Sequence, residues 1–126
     1  MAMLQSPSKL DSEAHLKVMV LDMDAALRMG GSVDSTYSNA KVGGALLSKN
    51  INANSWNPDV ARSYQQELMR RGWVKKSDDG NTITFCKDNM LARVNLFSEK
   101  DNSLGLPHEI YGFAMIYDAT TKRLCN

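Results

Sequence analysis

Few side chains in this sequence are placed to do chemistry. Asp22 and Asp24 stand two apart behind Val20 and Leu21. At that spacing one carboxylate could attack as a nucleophile while the other moves a proton. His15 and His108 are the only histidines, and no Cys, Asp or Glu stands at metal-ligand spacing from either. Cys86 and His108 could serve as nucleophile and base, but no local signature joins them. Asp78, Asp79 and Asn81 around Gly80 offer short oxygen ligands for calcium, without the further spaced acids and closing glutamate that such a loop needs. Each group has a simpler reading, as solvated helix carboxylates, ordinary histidines and a hairpin turn. The expectation is a protein that is not an enzyme, with no metal and no cofactor.

The two cysteines pose the other chemical question. Cys86 and Cys125 read either as two reduced, half-buried thiols or as one disulfide. A bridge would close a loop of about 40 residues, worth roughly 3–4 kcal/mol through loop entropy. It would also tie down a chain end that otherwise frays. Bulk properties narrow the function further. A length of 126 residues fits one domain, and 43% hydrophobic with 23% charged is a globular composition. A net charge of +1 supplies no global basic field for nucleic acid. No apolar run approaches the ~18 residues of a membrane helix, and the first residues lack the basic and apolar regions of a signal peptide. The expected compartment is the cytoplasm for a complete chain. It is the periplasm, cell surface or exterior if an anchoring segment has been removed upstream.

An α+β domain is expected to position these groups: residues 1–8 disordered, 9–126 one globular domain. Ser8 and Asp11 form a capping signal for a long helix over 9–29, with Leu16, Met19, Val20, Met23 and Leu27 on a broad apolar face. Glu13–Lys17 and Asp24–Arg28 are i,i+4 pairs, and Gly30 and Gly31 stop the helix. Residues 32–57 are ambiguous. A helix over 36–49 would turn Tyr37, Val42, Leu46 and Leu47 inward, but Gly43 and Gly44 cost it about 1–2 kcal/mol. The alternative there is an irregular surface loop, and 50–57 reads as loop in either case. Asn57, Pro58 and Asp59 start a second helix that Gly72 ends, with Val60, Tyr64 and Leu68 on one face. Residues 73–76 and 82–86 form a hairpin about Asp79 and Gly80. Residues 90–97 alternate as a strand, 98–108 connect, and 110–117 form an apolar central strand covered on both faces. A turn at 118–122 leads into a short last strand. The sum is a long N-terminal helix and a second helix packed on one face of an antiparallel meander sheet of three to five strands.

Three resemblances bear on function. Val20, Leu21, Asp22, Met23 and Asp24 resemble the first motif of haloacid-dehalogenase-like phosphatases, whose Asp-x-Asp supplies nucleophile and acid/base. Ala25 and Ala26 follow where that family has a small residue and a hydroxyl, and the surrounding pattern is helical. The basic end of the second helix and the hairpin after it, with Arg62, Arg70, Arg71, Lys75 and Lys76 near Tyr64 and Trp73, resemble the recognition helix and wing of winged-helix proteins. The candidate second helix of that fold is 45–49. This implies duplex binding as an alternative function.

The whole layout is similar to the globular domain of a type IV pilin or minor pilin lacking its N-terminal hydrophobic segment. The likeness lies in an amphipathic helix at the start, a long helix-to-sheet connection with Ser35, Thr36, Tyr37, Ser38, Asn39 and Ala40, an antiparallel C-terminal half, and Cys86 with Cys125 near the chain end. The resemblance implies a non-catalytic structural or interaction subunit of an extracytoplasmic filament or secretion system. Its partners would be other protein subunits, Cys86 and Cys125 would be paired, and Leu16, Met19, Met23 and Leu27 would meet the partner. A small cytosolic protein-binding domain, such as an immunity protein or adaptor, is the further alternative.

Overall fold

The Asp11 N–H donates to the Ser8 hydroxyl at 3.1 Å, and from that cap α1 runs over Lys9–Leu27. A computed structural model describes residues 6–102 and 105–126. Residues 1–5 of the segment expected to be disordered lie outside the described residues. Pro7 and Ser8, by contrast, already belong to the fold. Pro7 is buried, and its carbonyl accepts from the Gly43 N–H at 2.8 Å.

The ambiguous stretch is neither helix nor loop. It is a hairpin of β1, Val33–Lys41, and β2, Gly44–Asn52. Val42 and Gly43 make the turn, with Gly43 at φ 104°. Gly44 is needed for a different reason: a Cβ there would lie 2.5 Å from the Tyr117 carbonyl oxygen. Ala45, Leu47 and Ile51 alternate toward the core, which defeats the four-residue period of Val42 and Leu46. A short 3-10 turn at Ala53–Ser55 follows, so the expected loop at 50–57 begins as strand.

α2 spans Pro58–Arg70, with Asn57 accepting from the Val60 N–H at 2.9 Å and Gly72 leaving the helix at φ 98°. Then come β3 (Val74–Asp78), β4 (Thr82–Lys87), β5 (Met90–Asn95), β6 (Glu99–Asp101) and β7 (His108–Asp118). The expected last strand is instead a helix, α3, over Ala119–Leu124. Asp118 and Thr121 cap it reciprocally, each side chain taking or giving a bond at the other's backbone.

The fold is α+β, and the seven strands among the described residues all pair antiparallel in one sheet. The order β1-β2-β7-β5-β4-β3 is a meander only over β3, β4 and β5. β7 enters between β2 and β5, and β6 pairs with its first residues. α1 and α2 cover one face. Met19, Met23, Tyr64 and Leu68 meet Phe85, Phe113 and Met115 there in a continuous core. Cys86 follows core-facing Phe85 and so points to the opposite face, where α3 packs against β7 and β5. Elsewhere that face is thinly covered. Ala114 and Ile116 of β7 are only half-buried, so from Phe113 onward the central strand is fully covered on the helix side alone, while Ile110 on the outer face is buried.

One position in the α1–β1 connection makes a test of this packing. At Gly31, φ is 89°, and a Cβ would stand 2.3 Å from the Tyr64 hydroxyl oxygen and 3.0 Å from Ile51. That hydroxyl donates to the Gly30 carbonyl at 2.6 Å. Gly31→Ala is expected to lower unfolding stability by about 2–3 kcal/mol, through left-handed strain and displacement of Tyr64. Gly43→Ala has the same sign of φ but no atom within 4 Å of the new Cβ, and should cost about 1 kcal/mol in the same urea titration.

Candidate interaction surface

Asp22 is the most heavily engaged of the candidate catalytic groups. It lies on the inner side of α1, only 3% exposed. Its Oδ1 accepts from Arg71 Nε at 2.7 Å, and its Oδ2 accepts from Trp73 Nε1 and Lys87 Nζ, both at 2.8 Å. Two tight turns aim these donors. Gly72 lets the chain reverse between Arg71 and Trp73, and the left-handed pair Asp88 and Asn89, at φ 49° and 66°, closes the β4–β5 turn directly after Lys87. Burial pushes the Asp22 carboxyl up, but the bonds from Lys87, Arg71 and Trp73 together outweigh it and hold it below the ordinary carboxylate value. With both oxygens occupied by three donors, this carboxylate ties α1, the end of α2 and β4 together. Asp24 is also engaged, accepting from Lys49 of β2 at 3.0 Å. The Asp-x-Asp pair thus stands on a helix, Asp22 facing the core with two cations and Asp24 facing β2 with one.

The histidines are set apart by the fold. His15 stacks on Tyr117 at 3.6 Å between ring centroids, at one end of β7. The Tyr117 hydroxyl donates to Asp11 Oδ2 at 2.6 Å, so the Asp11 carboxylate holds the sheet rather than completing the Ser8 capping box. Burial, with the nearby Asp11 carboxylate, pushes the Tyr117 phenol above its usual range, so it stays a hydrogen-bond donor. His108 begins β7 and lies 3.1 Å from Asp34 of β1. Cys86 pairs with no histidine, because it is bonded to Cys125 at an S–S distance of 2.08 Å. In the hairpin turn, Asp79 Oδ1 accepts from the backbone N–H groups of Asn81 and Thr82 at 2.8 Å. Those bonds, Thr82 first, hold its carboxyl below the ordinary value. The candidate calcium ligands Asp78 and Asp79 use their oxygens to shape the turn itself. Among the described residues, no group of three His, Cys, Asp or Glu side chains is arranged to hold a metal.

The basic set is mostly spoken for as well. Arg62 pairs with Asp59 at 2.6 Å, and Arg71 with Asp22. Arg70 grips buried Glu67 through Nε at 2.9 Å and a second guanidinium nitrogen, and that pairing holds the Glu67 carboxyl low. Lys75 lies 4.0 Å from Asp78, and Lys76 is exposed on β3. Residues 45–49, the second helix of a winged-helix arrangement, lie in β2.

The outer side of α1 is open to a partner. Met19 and Met23, expected to meet a partner, are fully buried in the core instead. Leu16 and Leu27 are half-buried at its rim. The exposed apolar residues of α1 are Leu10 at 80%, Leu21 at 61% and Val20 at 36%. Glu13, Leu16, Lys17, Val20 and Leu21 line a shallow, mostly apolar groove along the helix. The sequence carried this signal as apolar residues on both sides of α1, a pattern that does not say which side turns inward. Among the described residues, no helix is long and apolar enough to cross a membrane. No protein-family model, curated protein or solved structure matches this chain.

Proposed function

We propose that this chain is a non-catalytic, pilin-like interaction subunit that assembles with copies of itself through the outer side of α1, in an extracytoplasmic filament or secretion assembly. The observation that carries this is the exposed stripe of Leu10, Val20 and Leu21 beside half-buried Leu16. Each such side chain gains about 1.5–3 kcal/mol when fully buried, so the stripe is a standing force toward association. A second copy is the occupant because the stripe carries its own charge complement. Glu13 and Lys17 border the same groove, so a second identical helix laid alongside can set each against its opposite. The Cys86–Cys125 bridge supports an oxidising compartment.

Sedimentation velocity on the chain and on Leu21→Lys, from about 10 μM to 1 mM, tests the proposal. The expected result is concentration-dependent association of the parent and at least tenfold weaker association of the variant. Leu21 is largely exposed, so the unfolding midpoint should hardly move. A parent that stays monomeric throughout, or a variant that associates equally well, would refute it.

A further inference from the structure

We infer that the β1 edge is a second self-association surface, pairing antiparallel with β1 of another copy so that the sheet continues across a two-fold axis near Ser38. The inference rests on the self-assembly reading above only for the identity of the partner; its evidence is separate. β1 is a terminal strand of the sheet, nine residues long, and Thr36, Tyr37, Ser38 and Asn39 are exposed along it. Such an edge is usually blunted by proline or inward charge. Here 35–40 contains neither, and Tyr37 stands 57% exposed.

The register decides which backbone groups are on offer. Lys41 and Gly44 flank the two-residue turn and face one another. The pair flanking such a turn is hydrogen-bonded, and the ladder alternates from there. Lys41, Asn39, Tyr37 and Ser35 therefore turn their N–H and C=O groups to β2. Thr36, Ser38 and Ala40 turn theirs to the open edge.

Antiparallel pairing about Ser38 sets Ser38 against Ser38, and Thr36 of each copy against Ala40 of the other. Every outward donor then meets an acceptor. On the helix side these are small residues, in register with Lys49, Leu47 and Ala45 of β2. On the other side Tyr37 meets Asn39. The charges do not oppose this pairing: Asp34 is held by Asn52 and His108, and an antiparallel partner keeps the two Lys41 side chains at opposite ends of the joint.

The helix above the edge fits the same arrangement. α1 packs over β1 and β2. Asp22 turns toward Arg71 and Lys87 on the β4 side. Val20 lies roughly 160° round the helix from it, over the β1 side. Joining two β1 edges brings the Leu16 and Val20 flanks of the two α1 helices toward one another.

The test is sedimentation velocity on the parent, Ser38→Pro and Leu21→Lys, with amide exchange on the parent below and above its association range. Ser38→Pro removes an outward N–H and leaves the β1–β2 ladder its bonds. By symmetry it removes that donor from both chains, so association should weaken at least tenfold while the circular dichroism of the monomer is kept. In the parent, the Thr36, Ser38 and Ala40 amides should exchange more slowly at high concentration. If Leu21→Lys dissociates and Ser38→Pro does not, the α1 surface stands and the edge pairing is overturned. If those amides exchange at one rate at every concentration while the parent associates, the edge pairing is likewise overturned, whether or not the proline variant folds. A parent that never associates overturns both.

Discussion

Reduction of the Cys86–Cys125 bridge is expected to lower the unfolding free energy by roughly 3–4 kcal/mol, the loop-entropy value for a closure of this length. The two cysteines are 39 positions apart, and their Cα atoms are 5.5 Å apart. The contacts inside the loop explain why the bridge matters to more than the unfolded chain. It joins α3, which follows β7, to β4, and so spans β5 on the outer face of the sheet. α3 has only six residues, too few to hold themselves as a helix in water. The Asp118–Thr121 capping box fixes its start, and the bridge fixes its end. A urea titration with and without reductant, at a slope of about 1.5 kcal/mol/M, should show the midpoint falling by about 2 M. Cys86→Ser with Cys125→Ser should reproduce the shift. An unchanged midpoint would overturn the loop-entropy account of this bridge. Amides of α3 should lose protection before those of β7 in the reduced protein, since β7 is held from both sides by β2 and β5.

How much could be read ahead of the structure depends on how local each signal is. α2 was legible because Asn57, Pro58 and Gly72 act within one turn of themselves, and the β3–β4 hairpin because Asp79 and Gly80 shape their own turn. α1 was legible as a helix, but its inner side was not, because Leu10, Val20 and Leu21 compete with Met19 and Met23 for the apolar face. Only packing against the sheet resolves that. The β1–β2 hairpin was hidden for a related reason. β1 is an edge strand exposed on both faces, so it carries no apolar alternation to read, and Leu46 and Leu47 sit side by side on opposite faces of β2. Two readings of the cysteines stayed open because the topology that brings β4 beside the chain end is non-local. The Asp88–Asn89 turn had a usable signal in two residues that tolerate left-handed backbone.

Asp22 is the extreme of that non-locality, since its partners lie 49, 51 and 65 residues away. Asp22→Ala is expected to cost about 2–4 kcal/mol. Arg71 and Lys87 are partly exposed and can turn toward water, which keeps the figure below that for stranding a fully buried cation. Trp73 cannot turn, at 2% exposed, and its indole N–H would be left without an acceptor. The pH dependence gives a sharper result through Asp22→Asn, which keeps the shape and removes the charge. The folded carboxyl titrates below its unfolded value, which lies near 4. Its contribution is therefore fully present above about pH 4 and is lost as pH falls through the lower folded value. The stability gap between the parent and Asp22→Asn should be constant from about pH 7 to 5 and narrow toward pH 2. Glu67 and Asp79 are also held low, but they are common to both proteins and cancel in the difference. Urea midpoints measured across that range would decide the matter. A gap that stays constant into acid would mean that burial of the carboxyl offsets its three hydrogen bonds, and that Asp22 orders the α1, α2 and β4 junction without the charge itself contributing.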